Sequence, residues 1–268
     1  FYRAAKAAGI KPVIGCEVYV ARRTRFDKDH HLDSNPYHLI LLCKNEEGYR
    51  NLIHMVSLSF SEGFYNKPRI DWELLKQYHS GLIAMSACLA GEVASKILQQ
   101  NYEGAKQTAL NYREVFGDDY YLEIQDHHLA EDDDVCRGVM RIAEETGIPL
   151  VATNDAHYTR KEDAHMQDVL MCIQTGKTVD DIDRMRFETE EFYLKSEEEM
   201  AALFPNHPEA IANTMEIVDK CNLDFTFGQY HLPSFDVPEG YTAEEYLHKL
   251  CMEGFDRRYD PDDTEKRE

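Results

Sequence analysis

Short apolar segments alternate with helix-forming segments along the first 155 residues of this 268-residue chain. The predicted strands cover residues 13–20, 37–43, 81–88, 120–125 and 150–154, and helical segments separate most of them. Strands that alternate with helices at this spacing are typical of parallel βα units. The sequence therefore predicts an α/β fold whose sheet is either wrapped into a barrel or left open and doubly wound.

Two of these strands are introduced in the same way. A predicted helix ends at a glycine, Gly9 or Gly147, and a proline shortly afterwards leads the chain into the strand. Glycine ends helices readily, and proline cannot continue them. Each unit then presents a carboxylate, Glu17 in the first and Asp155 in the second. Polar side chains at the carboxyl ends of strands are where α/β folds place their sites.

The segment around Asp155 is a candidate metal site. Asp155 and His157 are two residues apart, so on an extended backbone their side chains project to the same side and can bind one divalent ion. Taken alone, an Asp-x-His pattern is weak evidence, because it is more often a hydrogen-bonded strand end. Other polar groups at predicted strand ends are Glu17, Cys88, Asp126, His127 and His128.

Composition restricts the class of protein. The formal net charge of -21 would repel a polyphosphate backbone unless metal ions or a separate basic region mediate the contact, so the chain is expected to be a poor general DNA-binding surface. The seven cysteines form no CxxC pair, which favours a cytoplasmic protein with reduced thiols. No apolar run approaches the ~20 residues of a membrane span, and no signal peptide is recognisable.

The chain changes character after residue 160. Further helices are predicted at 161–173, 196–203 and 208–221. Residues 227–241 contain two glycines and two prolines and are typical of a linker, and the charged residues 256–268 contain no closing strand. Because the chain opens with Phe1 inside a predicted helix, we expect it to have lost its true beginning and to be cut from a longer protein.

Five segments in this order resemble a known domain. They are GIKPVIGCEVYV at 9–20, YHLILL at 37–42, MSACLAGE at 85–92, TNDAHY at 153–158 and PEAIANTMEI at 208–217. Together they resemble the PHP (polymerase and histidinol phosphatase) domain of bacterial DNA polymerase III alpha subunits. The resemblance implies a distorted seven-stranded βα barrel, truncated at its N-terminus, with C-terminal helices leading toward a polymerase palm domain. It implies a PHP domain at 1–225, and a linker and the start of the polymerase core at 226–268.

The resemblance also implies a set of metal ligands. The family's ligand positions fall on Glu17, His38, Cys88, Asp155 and His157, all of which are competent to bind metal. Carboxylates and imidazoles suit Zn²⁺, Mn²⁺ or Fe²⁺, and a thiolate favours zinc. A metal-activated water is the expected nucleophile. The family's earlier His-x-His and Asp-His motifs would precede Phe1, so we expect this chain to bind metal weakly or incompletely.

The function implied by the resemblance is that of a fragment of a DNA-directed DNA polymerase, a nucleotidyltransferase of DNA replication. The PHP domain itself is expected to support 3′ to 5′ exonuclease or phosphoesterase chemistry in the intact protein. The alternative is a non-catalytic module that braces the polymerase and docks a proofreading subunit. A stand-alone phosphatase of the histidinol phosphate type is a more remote alternative. The implied partners are DNA, a proofreading exonuclease subunit and other replisome subunits such as the sliding clamp, with no membrane.

Several polar residues also have a purely structural interpretation. From position alone, His38 would be a core histidine, Cys88 a small core thiol and Glu17 a strand-end carboxylate. His127 and His128 beside Asp126 have no role in the family, and we expect a solvated strand end there. The acidic runs 131–134 and 197–199 are expected to begin helices, where negative charge is favourable. The polymerase's catalytic aspartates and its Mg²⁺ are expected beyond Glu268, so this fragment alone should be inactive.

Overall fold

The computed structural model describes residues 1–230 and 232–259. The chain divides into two compact units, of which the first is Phe1–Asp224 and the second begins at Phe225. The first unit contains a mixed sheet with helices around it. The described residues of the second unit form a segment without regular secondary structure and a helix. In the part of the chain that is described, no helix is both long and apolar enough to cross a membrane.

Six strands form the sheet. They are β1 (Gly15–Val20), β2 (Tyr37–Cys43), β3 (Arg69–Ile70), β4 (Leu82–Met85), β5 (Tyr120–Ile124) and β6 (Leu150–Ala152). Their order across the sheet is β3-β1-β2-β4-β5-β6. β1 pairs with β3, β4 with β5 and β5 with β6 in parallel, whereas β2 is antiparallel to both β1 and β4. The α/β class is therefore confirmed.

The direction of β2 corrects the expectation of uniformly parallel strands. Parallel neighbours need a crossover connection, usually a helix. Residues 21–36, all of which are described, contain no helix, so the chain leaves β1 through a loop and returns antiparallel to it. The expected seven-stranded barrel is not confirmed, since the described residues form a sheet of six strands.

Ten α-helices surround or follow the sheet in the described residues. They are α1 (Tyr2–Ala7), α2 (Glu46–Ser61), α3 (Trp72–Tyr78), α4 (Glu92–Leu98), α5 (Tyr102–Phe116), α6 (Ala130–Thr146), α7 (Ala164–Thr175), α8 (Glu197–Leu203), α9 (Pro208–Lys220) and α10 (Ala243–Arg258). Single turns of 3-10 helix cover Gly117–Asp119 and Lys161–Asp163. α10 has no counterpart among the predicted helices. Of the charged segment expected at 256–268, residues 260–268 lie outside the described part.

One cluster of the core forms where α9 packs against β6 and its neighbours β5 and β4. β5 is buried along its whole length, as expected for a strand with neighbours on both sides. Asn213 of α9 donates to the backbone oxygen of Leu150 over 2.7 Å, which ties the helix to β6. The buried residues of this core cluster are Ile83, Met85, Tyr121, Val151, Ile217 and Cys221. These contacts fix α9 against β4, β5 and β6.

The beginning of α2 gives a local test of the fold. The Asn45 side chain accepts a hydrogen bond from the Gly48 backbone N–H over 3.0 Å and so caps the helix. Replacing Asn45 with alanine is expected to lower the free energy of unfolding by about 1 kcal/mol. Urea denaturation measures the loss. Arg50→Ala on the exposed face of the same helix is the control, and an equal loss in the two variants would contradict the capping role.

Candidate metal centre

Three of the predicted ligands lie together at one side of the sheet. Glu17 on β1 and His38 on β2 project from the same face, because His38 lies opposite Tyr19, two residues from Glu17. The Glu17 Oε1 to His38 Nδ1 distance is 3.0 Å, and the Cys88 sulfur lies 3.7 Å from the same nitrogen. Glu17, His38 and Cys88 therefore form one contiguous group of donor atoms.

The antiparallel direction of β2 explains how His38 reaches this group. His38 stands near the start of its strand, where a parallel arrangement would place it at the opposite end from a site. Because β2 runs against β4, its start lies beside the end of β4, from which the chain continues to Cys88. The backbone N–H of His38 donates to the oxygen of Ala90 over 3.1 Å, which fixes the loop after β4 against β2.

Cys88 lies in a tight turn after β4. The residue before it, Ala87, has a φ of 63°, in the left-handed region that non-glycine residues rarely adopt. A side chain at Gly91 would meet the oxygen of Ser86, so the turn closes tightly on itself. Burial raises the pKa of the Cys88 thiol to about 12, and the negative charge of Asp155 adds to the effect. Without a cation beside it, this sulfur is protonated at neutral pH.

Asp155 and His157 form a second group after β6. The His157 Nε2 lies 3.6 Å from the Asp155 Oδ1. Asp155 has a φ of 43°, again in the left-handed region. The carboxylate of Asp155 raises the pKa of His157, against the effect of burial. Burial acts to raise the pKa of Asp155, but the hydrogen bond and charge of His157, together with His127 and His38, outweigh burial, and the pKa lies below its ordinary value.

Aromatic rings fix the imidazole of His157. Its ring centroid lies 4.8 Å from that of Phe187 and 5.9 Å from that of Phe192. The backbone N–H of His157 donates to the oxygen of Phe192 over 2.8 Å. The segment that carries these phenylalanines thus covers the end of β6 and restricts the orientation of the His157 ring.

The two groups influence each other electrostatically. Asp155 raises the pKa of Cys88, Glu17 raises that of His157, and His38 lowers that of Asp155.

The separations of the donor atoms can be compared with those of metal ligands. Ligands of one divalent ion, bound at ~2.0–2.3 Å, lie roughly 3–4 Å apart, as the three donor pairs do. Carboxylate, imidazole and thiol donors fit a divalent transition metal. Within residues 1–230 and 232–259, however, no set of three or more such side chains is arranged to hold a metal ion.

Glu123 lies next to these groups and was not predicted from the sequence. It is a carboxylate on β5 with only 5% of its surface exposed. Burial raises its pKa to about 7, although Thr153 and the Ala87 backbone N–H both donate to it. One feature of the sequence could have indicated Glu123: it is the acidic residue of an otherwise uncharged predicted strand, YYLEIQ at 120–125.

His127 corrects the expectation of a solvated strand end. The residue is 2% exposed, its ring stacks on Phe192 at 4.2 Å, and its Nε2 lies 2.9 Å from the oxygen of Asn154. Thr189 donates to the His127 backbone oxygen over 2.8 Å. The covering segment comes from about 60 residues later in the chain, and so the local sequence around His127 does not reveal the burial. His128 is exposed, as expected.

Comparison with known proteins gives a family match and several close relatives. Residues 1–127 match the PHP domain family. The chain is also similar to proteins named DNA polymerase III subunit alpha. It is 47% identical to the protein from Borreliella burgdorferi, 45% to that from Treponema pallidum and 43% to that from Thermus aquaticus. Each similarity covers 97% of this chain. The chain spans only 23%, 22% and 22% of the lengths of these relatives.

Proposed function

We propose that this chain is part of a replicative DNA-directed DNA polymerase, because residues 1–127 match the PHP domain family and nearly the whole chain is similar to proteins named DNA polymerase III subunit alpha. The chain spans less than a quarter of these relatives, so we assign polymerisation and its Mg²⁺ to the rest of the protein. The partners that this proposal implies are DNA, a proofreading exonuclease subunit and other replisome subunits such as the sliding clamp. The implied location is the cytoplasm.

We assign residues 1–225 to the PHP domain, and the residues from 226 onward to a linker and the start of the polymerase core. Asp155 and His157 lie beyond the matched residues 1–127. Their electrostatic interactions with Cys88, Glu17 and His38 support placing them in the same domain.

For the domain itself we propose metal-dependent hydrolysis of phosphodiesters, acting on the 3′ end of DNA. The observation that supports this most directly is the set of three donor pairs: Glu17 with His38 at 3.0 Å, His38 with Cys88 at 3.7 Å and Asp155 with His157 at 3.6 Å. These separations are those of ligands that share an ion. If Glu17 and His38 only formed a hydrogen-bonded strand end, the Cys88 thiol would not be needed beside the same His38 nitrogen.

The five residues have distinct tasks in this proposal. Glu17, His38, Cys88, Asp155 and His157 would hold the divalent metal. When bound, a divalent metal (Zn²⁺, Mn²⁺ or Fe²⁺) supplies a water of lowered pKa and positive charge beside the phosphodiester. Asp155 keeps its negative charge in the free protein, since its pKa is low. The Cys88 sulfur must lose its proton to become a ligand, so metal uptake by this residue releases a proton.

Replacing His157 with alanine in the complete polymerase tests the proposal. We expect at least a tenfold loss of metal-dependent removal of a mismatched 3′ nucleotide, because a donor is lost that the Phe192 segment holds in place. Polymerisation should be unchanged. Primer cleavage and extension are followed on the same mismatched and matched substrates, with and without a chelator.

His54→Ala is the matched control, since His54 lies on α2, exposed and away from the candidate ligands. It should leave both activities unchanged. If His157→Ala cleaves the mismatched end as well as the wild type does, the nuclease proposal is wrong.

A non-catalytic module that braces the polymerase and docks a proofreading subunit is the second candidate. One observation favours it: in the described part of the chain, no set of three or more donors is arranged to hold an ion. The net charge of -21 also opposes direct contact with DNA. This candidate predicts that the chain, checked for folding by circular dichroism, retains a proofreading exonuclease in a pull-down. Failure of the folded chain to do so would count against it.

A further inference from the structure

Glu123 connects two segments that are distant in the sequence. Its Oε1 accepts a hydrogen bond from the Ala87 backbone N–H over 2.6 Å, and its Oε2 accepts one from the Thr153 hydroxyl over 2.6 Å. Ala87 directly precedes Cys88, and Thr153 lies two residues before Asp155. One buried carboxylate thus joins the turn after β4 to the end of β6, with one oxygen for each.

Neighbouring side chains hold Glu123 in this position. Its own backbone N–H donates to the Ser86 hydroxyl over 2.8 Å. Gln125 donates to the Thr153 hydroxyl over 2.8 Å and lies 3.5 Å from the Glu123 carboxylate. Because Glu123 and Ser86 are buried, Gln125 and Thr153 are half-buried, and the Glu123 oxygens have partners, the network can hold a single arrangement.

Both segments that Glu123 joins contain an unfavourable backbone conformation. Ala87 and Asp155 have φ values of 63° and 43°, in the left-handed region where side chains are disfavoured. Such conformations persist only where the surrounding structure imposes them. The bond to Ala87 acts directly on the first strained residue, and the bond to Thr153 fixes the chain just before the second.

We propose that Glu123 is a positioning residue that sets the Cys88 turn and the Asp155 segment relative to each other. The benefit of this positioning rests on the proposed metal-binding function. The positioning itself is a statement about the hydrogen bonds of this chain alone. Glu123 is not itself a ligand in this proposal. It acts through the backbone of Ala87 and the side chain of Thr153, as outer hydrogen-bonding partners of metal ligands do.

Hydrogen–deuterium exchange of the full-length protein, read by mass spectrometry, tests the geometric content without any metal. Glu123→Met keeps the length of the side chain and removes both acceptors. We expect the backbone amides of residues 87–88 and 154–157 to exchange at least tenfold faster, while those of α2 remain unchanged. Glu123→Gln retains an acceptor for Ala87 and a polar group for Thr153, and should restore protection to within about threefold of wild type.

Thr153 provides a second, milder pair of variants if Glu123→Met does not fold. Thr153→Val removes the hydroxyl at nearly constant volume, and Thr153→Ser keeps it. Faster exchange at 154–157 in the valine variant alone supports the connection. Unchanged exchange in Thr153→Val, or a uniform increase throughout the protein in Glu123→Met, overturns it.

Titration with Mn²⁺ then separates the two proposals, if only the Mn²⁺ bound in excess of His157→Ala is counted, because the polymerase site outside this chain also binds divalent ions. We expect Glu123→Met to bind Mn²⁺ at least tenfold more weakly than wild type, with Glu123→Gln close to wild type. Equal affinity in Glu123→Met despite faster exchange would overturn the positioning role. If the wild type takes up no more Mn²⁺ than His157→Ala does while the exchange results hold, the proposed metal function fails and the connection through Glu123 stands.

Discussion

Replacing Arg69 with methionine is expected to lower the free energy of unfolding by about 4 kcal/mol or more. The Arg69 side chain is fully buried. Its guanidinium donates to the backbone oxygens of Gly63 at 3.0 Å, Arg25 at 3.0 Å and Asp27 at 2.8 Å, and reaches that of Asp33 at 3.4 Å. Each buried carbonyl that loses its partner costs roughly 1–3 kcal/mol. Methionine fills part of the volume but donates no hydrogen bond.

The loss should be concentrated in the loop between β1 and β2, because three of the four acceptors lie there. Urea denaturation measures the global effect, and exchange of the amides of residues 21–36 measures the local one. Arg137→Met on the exposed face of α6 is the control and should change stability little, since its ion pair with Asp134 is exposed. A loss in Arg69→Met no larger than in the control would show that the loop does not depend on this side chain.

Local sequence predicts the segments whose limits are set locally. β2 covers Tyr37–Cys43 as predicted, because Asn35 and Pro36 precede an apolar run of strand length. α3 covers Trp72–Tyr78 as predicted, and the Asp71 side chain caps it by accepting from the Leu74 backbone N–H. In both cases the signals lie within a few residues of the boundary. The family resemblance is likewise confirmed by the comparisons.

The predicted strand at 81–88 shows where local signals end. The structure retains only Leu82–Met85 as β4, because the chain turns at Ala87. The turn depends on the hydrogen bond from Ala87 to Glu123, which lies 36 residues further along the chain. An apolar run identifies the strand, but only its tertiary partners decide where the strand stops.

The antiparallel direction of β2 depends in the same way on distant contacts. The loop that returns the chain is organised by Arg69, which belongs to β3 and donates to backbone oxygens more than 30 residues earlier in the chain. No periodicity of residues 21–36 indicates this arrangement. The position of His38 in the candidate site, near the start of its strand, follows from it and could be anticipated only through the family resemblance.

In the candidate site, too, some residues are indicated by the sequence and others only by their tertiary contacts. The resemblance supplies the full set of five candidate ligands. The residue pattern alone indicates Asp155 and His157 as a possible metal pair and Glu17 and Cys88 as polar groups at strand ends. Glu123 and His127 take their environments from Thr153 and Phe192, which lie 30 and 65 residues away in the sequence. Burial and stacking of this kind are absent from the local sequence. From the local sequence, the Glu123 carboxylate and the His127 imidazole could equally be solvated. Their tertiary contacts place both in the packed interior.

Raising the pH from 4.5 to 7 is expected to destabilise the wild type relative to Glu123→Gln by about 3 kcal/mol. Burial raises the pKa of Glu123 from 4.5 to about 7, against the hydrogen bonds from Thr153 and Ala87 and with a contribution from the charge of Asp155. Between these two pH values the unfolded chain releases the proton and the folded chain keeps it. The folded state therefore binds more protons, so its stability falls as the pH rises. The difference in pKa corresponds to about 3 kcal/mol.

Denaturation by urea at several pH values from 4.5 to 8.5, with a chelator present, measures the difference between the two proteins. Glutamine has the shape of the protonated glutamic acid and does not titrate, so other ionisable groups cancel in the comparison. The stability of the wild type relative to the variant should fall up to about pH 7 and then remain constant. A difference that does not depend on pH would mean that Glu123 is ionised in the folded protein throughout this range. Its three donors would then outweigh the effect of burial, and the two strained segments would be held by a full negative charge.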